Sequence, residues 1–133
     1  MLVLALVFAT TGCLWRSYGT IMAVHLDVLT QMAAKLCAVV EAGRGPAAED
    51  MAEYFYPAKR GRQFLRQFSC DRGRESYREF TVFLDRYEAL VREVDAARAE
   101  GRNLQAALPR LTAKREALRQ LAGQIRADLQ AGH

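Results

Sequence analysis

Histidine is nearly absent from this 133-residue sequence, which contains only His25 and His133. Catalytic Ser-His-Asp and Cys-His arrangements need a histidine beside the nucleophile, and neither C-x-x-C-H nor H-E-x-x-H occurs. Paired carboxylates such as Asp85 and Glu88 lie among arginines at helix-surface spacing, which is typical of solvated ion pairs. The sequence therefore predicts a protein that is not an enzyme and that needs no cofactor.

Proline and glycine are also scarce, with 3 and 9 residues, whereas 22 residues are alanine. This composition favours helices. The sequence contains no alternating apolar and polar runs and no Asn-Gly or Asp-Gly turn, so no strand is predicted. We therefore predict an all-α fold, an antiparallel bundle of four to five helices.

The clearest helices are the last two. One is predicted from Tyr77 to a stop at Gly101, and the next has apolar residues every seven positions, at Leu104, Leu111, Leu118 and Ile125. Both measure roughly 40 Å at 1.5 Å per residue. Because their lengths match and the connection is short, they are predicted to form a long C-terminal helical hairpin.

Two further helical segments are predicted upstream. The first begins at an N-cap, Ser17, and ends near Ala42 before two glycines. Its apolar positions are spaced by three and four residues and comprise Tyr18, Met22, His25, Leu29, Met32, Leu36 and Val39. The second segment begins at Pro46, and Pro57 is expected to kink or break it because proline lacks a backbone donor.

Charged residues are missing from the chain before Arg16. The apolar run of residues 1–11 is too short to span a bilayer, which needs about 20 residues, but it is typical of an export signal. The motif "TTGC", residues 10–13, resembles the lipobox of bacterial lipoproteins, whose cysteine is lipidated and becomes the mature N-terminus. The alternative is that Met1 to Trp15 forms the first turns of a buried helix, with Cys13 in the core.

The resemblance implies an export signal at residues 1–12, a lipidated anchor with a short linker at 13–17, and a single domain at 18–133. Acyl chains on Cys13 would hold the protein on a membrane, with Trp15 and Arg16 at headgroup level. Similarity to lipoprotein sorting patterns implies that Leu14, directly after the cysteine, directs it to the periplasmic side of the outer membrane.

In size and layout the chain looks like the small all-helical pilotin lipoproteins of secretion systems. We therefore expect a non-enzymatic, envelope-anchored lipoprotein that acts as an adaptor, pilot or scaffold. Its partners would be the membrane, through the lipid anchor, and another protein of the cell envelope. The exposed side of the C-terminal hairpin is one predicted contact surface.

Lipidation of Cys13 would leave Cys37 and Cys70 as a pair. In an oxidising periplasm they would form a disulfide if their Cα atoms came within about 7 Å. A straight helix between them would keep them about 25 Å apart. The disulfide therefore predicts a chain reversal at "YPAKRG", residues 56–61. The alternative is two reduced core thiols.

Positive charge is concentrated in a basic segment, residues 59–78, with seven basic and two acidic side chains. The basic residues are Lys59, Arg60, Arg62, Arg66, Arg72, Arg74 and Arg78. Such a run is most often a solvated face, but in an exported protein it can bind anionic headgroups or an acidic protein partner. We expect that reversing Arg62, Arg66 and Arg74 to Glu weakens partner binding and leaves thermal unfolding nearly unchanged.

Two alternatives stay open. A soluble helical module could bind nucleic acid or another acidic partner through the basic segment, with aromatic residues such as Phe64 and Phe68 between the cations. The second and weaker alternative is a periplasmic metal or haem sensor at His25, Met22 and Met32, although a histidine on an apolar stripe is usually a core residue.

Overall fold

The computed structural model describes the side chains of residues 17–133, and before them the helical backbone from Leu2. The four α-helices are α1 (Leu2–Glu41), α2 (Met51–Gln67), α3 (Glu75–Ala99) and α4 (Leu104–Gln130). Short 3₁₀ turns at Ala48–Asp50 and Ser69–Asp71 precede α2 and α3, and the described part of the chain contains no strand. The predicted all-α bundle and its long C-terminal hairpin are confirmed.

The helices run antiparallel in chain order, and each packs mainly against its two neighbours in a ring, with α1 against α2 and α4, and α3 against α2 and α4. One end of the bundle, called here the Tyr18 end, brings together Tyr18 of α1, Phe68 after α2, Ser76 of α3 and His133 after α4. The chain before residue 17 joins the bundle at this end.

The core lies along all four helices. The apolar stripe predicted for α1 is confirmed only in part. Four of its residues are buried, namely Tyr18, Met22, Leu29 and Leu36. The other three, His25, Met32 and Val39, are half-buried. The neighbouring line of Leu26, Ala33, Cys37 and Val40 is buried in their place. The buried side of α1 is therefore rotated towards α4, since α1 must cover two neighbours.

The second helix is continuous through Pro57, so the predicted break there is wrong. Proline removes only the donor for the carbonyl of Glu53, and the Pro57 ring is itself buried in the bundle. The hydroxyl of Tyr87 donates to the adjacent carbonyl of Tyr54 at 2.7 Å. Tertiary packing therefore holds α2 together where its local sequence does not.

The observed helix ends match the predicted stops better than the predicted starts. Gly43 (φ 76°) and Gly101 (φ 65°) adopt the left-handed conformation that ends α1 and α3. The side chain of Asn103 caps α4 by accepting a hydrogen bond from the Gln105 backbone N–H at 3.0 Å. Ser17 lies inside α1, so the predicted N-cap there is wrong.

One described segment, Ser17–Glu41, is long and apolar enough to cross a membrane by length and composition, with a mean hydropathy of 1.4. A core helix of a soluble bundle and a signal sequence can have the same composition. Within the bundle this segment packs against α2 and α4. It is therefore only weak evidence for a signal or membrane segment near the N-terminus.

Candidate functional site

The structure divides the predicted basic segment into two groups. Arg62, Arg72, Arg74 and Arg78 all bond to atoms of the bundle itself. Lys59, Arg60 and Arg66 are exposed on α2, and within residues 17–133 they have no hydrogen bond or ion pair. Only these three, called here the open cations, are therefore fully available to a partner.

Arg62 joins α2 to α3. Its Nε donates to Glu88 Oε1 at 2.6 Å, and its Nη2 donates to Asp85 Oδ1 at 2.7 Å. Hydrogen bonding to Glu88 raises the pKa of the Arg62 guanidinium above its usual range, and Glu88 is only 14% exposed. The sequence predicted that replacing Arg62 with Glu would leave thermal stability nearly unchanged. The structure conflicts with this, because a glutamate at position 62 would face the carboxylates of Asp85 and Glu88.

Arg74 has a comparable role at the Tyr18 end. Its Nε pairs with Asp71 Oδ1 at 2.7 Å, and its Nη1 donates to the carbonyl of Gly132 at 3.3 Å. Nearby, the Ser76 hydroxyl donates to the carbonyl of His133, and the buried hydroxyl of Tyr18 lies 3.0 Å from Ser76 Oγ. Arg74 thus helps to fasten the segment after α4 to the start of α3.

The two described cysteines are both free, Cys37 buried and Cys70 exposed. The Cys37 thiol packs against the carbonyl of Leu111 on α4, and burial raises its pKa. Cys70 lies beyond the far end of α2, which continues as helix through residues 56–61. The predicted chain reversal is absent, so the disulfide prediction is wrong for this structure. The side chain of Cys13 lies outside the described residues.

The residues of the candidate metal site do not form a ligand set. The His25 ring is half-buried against the rings of Phe64 and Phe80, at centroid distances of 5.3 and 6.3 Å. Burial, with a smaller contribution from Arg60, lowers the pKa of His25. Met22 and Met32 are ten residues apart on one helix, or about 15 Å, which is too far to share one ion with His25. Among residues 17–133, no three His, Cys, Asp or Glu side chains are placed to hold a metal ion.

Two carboxyl groups, those of Glu79 and Asp128, meet between α3 and α4. When both are ionised neither can donate, and Glu79 Oε2 is then buried with no hydrogen-bond partner among the described residues. Burial, followed by hydrogen bonding and repulsion from Asp128, raises the pKa of Glu79 to about 7. At lower pH, a proton on Glu79 can be donated to Asp128.

This pair predicts a loss of stability as the pH rises. Because the folded-state pKa of Glu79 is above the unfolded value, ionisation from pH 5 to pH 8 costs the folded state more than the unfolded state. Replacing Glu79 with Gln, which keeps a donor, should leave stability unchanged at pH 5 and raise it by about 1 kcal/mol at pH 8, after allowance for solvent screening. Urea unfolding at both pH values measures this, and the control is Glu49→Gln, at an exposed position in the turn before α2. Equal effects of Glu79→Gln at both pH values would contradict it.

An exposed apolar line on α1 was not anticipated from the sequence. Ile21, Val24 and Val28 are 39%, 56% and 41% exposed. Their spacing of three and four residues indicates one face of a helix, but the core residues of α1 have the same spacing, so the sequence alone does not show which face is buried. Only the packing of α1 against α2 and α4 shows which stripe is covered.

Comparisons with known proteins give no assignment. No family model matches the chain, and neither the curated proteins nor the solved structures include a significant match.

Proposed function

We propose that the protein is a non-enzymatic, envelope-anchored helical lipoprotein that serves as an adaptor, pilot or scaffold on the periplasmic side of the outer membrane. The observation that carries the proposal is the position of the lipobox-like motif relative to the bundle. Tyr18 is fully buried only five residues after Cys13, and both belong to the single helix α1. Five residues of helix rise only about 7 Å, so acylation of Cys13 would hold the Tyr18 end against the membrane.

The charges at this end support the same proposal. The open cation Arg66 lies in the last turn of α2, and Arg72 is exposed in the turn that follows. An anionic leaflet attracts cations within about a Debye length of its surface, which is about 10 Å. A protein anchored at Cys13 would bring both arginines close to that distance. The exposed side of the C-terminal hairpin would stay free to bind an envelope partner.

The anchor is tested by expressing the full chain in a bacterium with an outer membrane and analysing the fractions by mass spectrometry. We expect a mature N-terminus at Cys13 that carries an acyl mass increment, in the outer-membrane fraction. Cys13→Ser should leave the protein unprocessed and without acyl mass. Cys70→Ser, which removes an exposed thiol, is the matched control and should be processed normally.

An intact Met1 in the soluble fraction would contradict the proposal. That result would favour the soluble helical module, with the open cations as its contact to nucleic acid or another acidic partner.

A further inference from the structure

The large exposed hydrophobic side chains are unevenly distributed over the described bundle. Four of the five lie on α1 and α2, namely Ile21, Val24, Val28 and Tyr56, and Val82 on α3 is the fifth. Tyr56 is the most exposed of them, at 59%. The surface shared by α1 and α2 is therefore the most apolar side of the described bundle.

The register of the two helices is given by an ion pair. Lys35 Nζ of α1 lies 2.8 Å from Glu53 Oε1 of α2. In antiparallel helices, a step of seven residues back along one matches seven residues forward along the other. Val28 therefore lies opposite Arg60, and Ile21 lies opposite Gln67. The influence of Arg60 on the pKa of His25 agrees with this register.

The α1–α2 face is defined by Ile21, Val24, Val28, Tyr56 and Arg60, and it is thus apolar along α1 with a cation on α2. Lys59 and Arg66 lie three residues before and four residues after Arg62, on the outer side of α2 next to this face. Glu53 is the nearest acid on α2 and is neutralised by Lys35. Asp27 points to the other side of α1, where it pairs with Arg126 of α4. The exposed acids Glu49 and Asp50 lie in the turn before α2, at the opposite end of that helix from Ile21, so the part of the face near the Tyr18 end carries net positive charge.

We propose that the α1–α2 face lies on an anionic phospholipid bilayer, with the three aliphatic side chains among the headgroups and the open cations on lipid phosphates. A bilayer is favoured over an acidic protein because the apolar line begins at Ile21, eight residues after Cys13 on the same helix. A membrane that holds the N-terminal end of α1, by acyl chains or by its apolar residues, can therefore also receive this line. An exposed tyrosine beside cations also suits the interface, where its ring and hydroxyl each find a suitable environment. The inference adds a second contact to the proposed anchor and does not require Cys13 to be acylated.

The test places a fluorescent reporter on the face. The chain has one tryptophan, so Trp15→Phe combined with Val24→Trp leaves a single indole at position 24. The matched control is Trp15→Phe with Ala113→Trp. Ala113 is exposed on α4 beside Lys114, which pairs with Glu93 of α3 at 2.6 Å, so it lies away from α2. Each full-length variant is reconstituted into vesicles that contain phosphatidylglycerol and brominated phosphatidylcholine.

We expect bromine quenching and a blue shift for the Val24→Trp reporter but not for the Ala113→Trp reporter. The signal should weaken in vesicles of brominated phosphatidylcholine alone. Adding Arg60→Gln and Arg66→Gln should shift the equilibrium about 25-fold towards the detached face, because each cation near an anionic leaflet contributes a factor of about five. Circular dichroism of every variant verifies the helical fold.

Two results would overturn the inference. If neither reporter is quenched, the bundle stands upright on its anchor or its α1–α2 face binds a protein. If both are quenched equally, the bundle has opened on the vesicle. Mass spectrometry of Cys13 reports separately on the anchor, so this face can fail while the lipoprotein proposal stands.

Discussion

Replacing Gly61 with valine should lower the free energy of unfolding by about 3 kcal/mol, or lower the melting temperature by about 10 °C. Gly61 is buried where α2 crosses α3, and a Cβ there would lie 2.8 Å from Leu84 Cδ2 and 3.3 Å from Phe80 Cζ. Both neighbours are fully buried and have little room to move. Valine also adds two methyl groups beyond that Cβ, so the helices must separate or leave their rotamers.

Gly123 is the matched control. It lies inside α4 with nothing within 4 Å of a Cβ, so Gly123→Ala should raise stability by about 1 kcal/mol through helix propensity alone. Gly61→Ala should fall between the two, because the same gain opposes a smaller clash. Urea denaturation with a common m-value measures all three. Native-like stability of Gly61→Val would mean that α2 and α3 do not approach as closely as described.

Replacing Arg62 with glutamine should cost about 1.5 kcal/mol, because Glu88 loses one of its two cations and keeps only Arg92, whose Nη2 lies 3.0 Å from Glu88 Oε2. The cost is smaller than for a fully buried pair, because the Arg62 side chain is 34% exposed. Arg66→Gln is the matched control. It lies four residues later on the same helix, has no ion pair among the described residues, and should change stability by less than about 0.5 kcal/mol.

A double-mutant cycle with Glu88→Gln isolates the interaction between the two side chains, with an expected coupling of about 1 kcal/mol. The readout is the free energy of unfolding in urea at low salt. If Arg62→Gln and Arg66→Gln prove equally mild, Arg62 is not a structural residue and returns to the candidate partner surface. The combined reversal of Arg62, Arg66 and Arg74 is not a suitable binding test, since two of the three hold the bundle together.

Much of the fold is predictable because the spacing of apolar residues along the chain determines which helices form and which sides of them are buried. The seven-residue spacing of Leu111, Leu118 and Ile125 identified the buried line of α4, and Gly101 marked the end of α3. The errors arise where contacts between residues far apart in the sequence determine the local structure. The continuity of α2 through Pro57 depends on Tyr87 and on the buried proline ring, which no local rule supplies.

The candidate site was harder to predict than the fold. The charge count located the basic segment, but only the rotation of α2 against α3 separates Arg62, which faces Glu88, from Arg66, which faces solvent. The cysteine prediction failed for the same reason, because it depended on the path of α2. The apolar line of Ile21, Val24 and Val28 could be found from its spacing only with knowledge of which sides of α1 are covered.

The continuity of α1 has a mechanical consequence. The helix that begins at Leu2 is the same one that buries Tyr18 and Leu36, so no break in helical structure separates Leu2 from the core. A rotation or a pull applied to the start of this helix would be transmitted to the bundle through the continuous helix. The membrane would then fix the direction in which the bundle points, and a partner would meet it in one orientation.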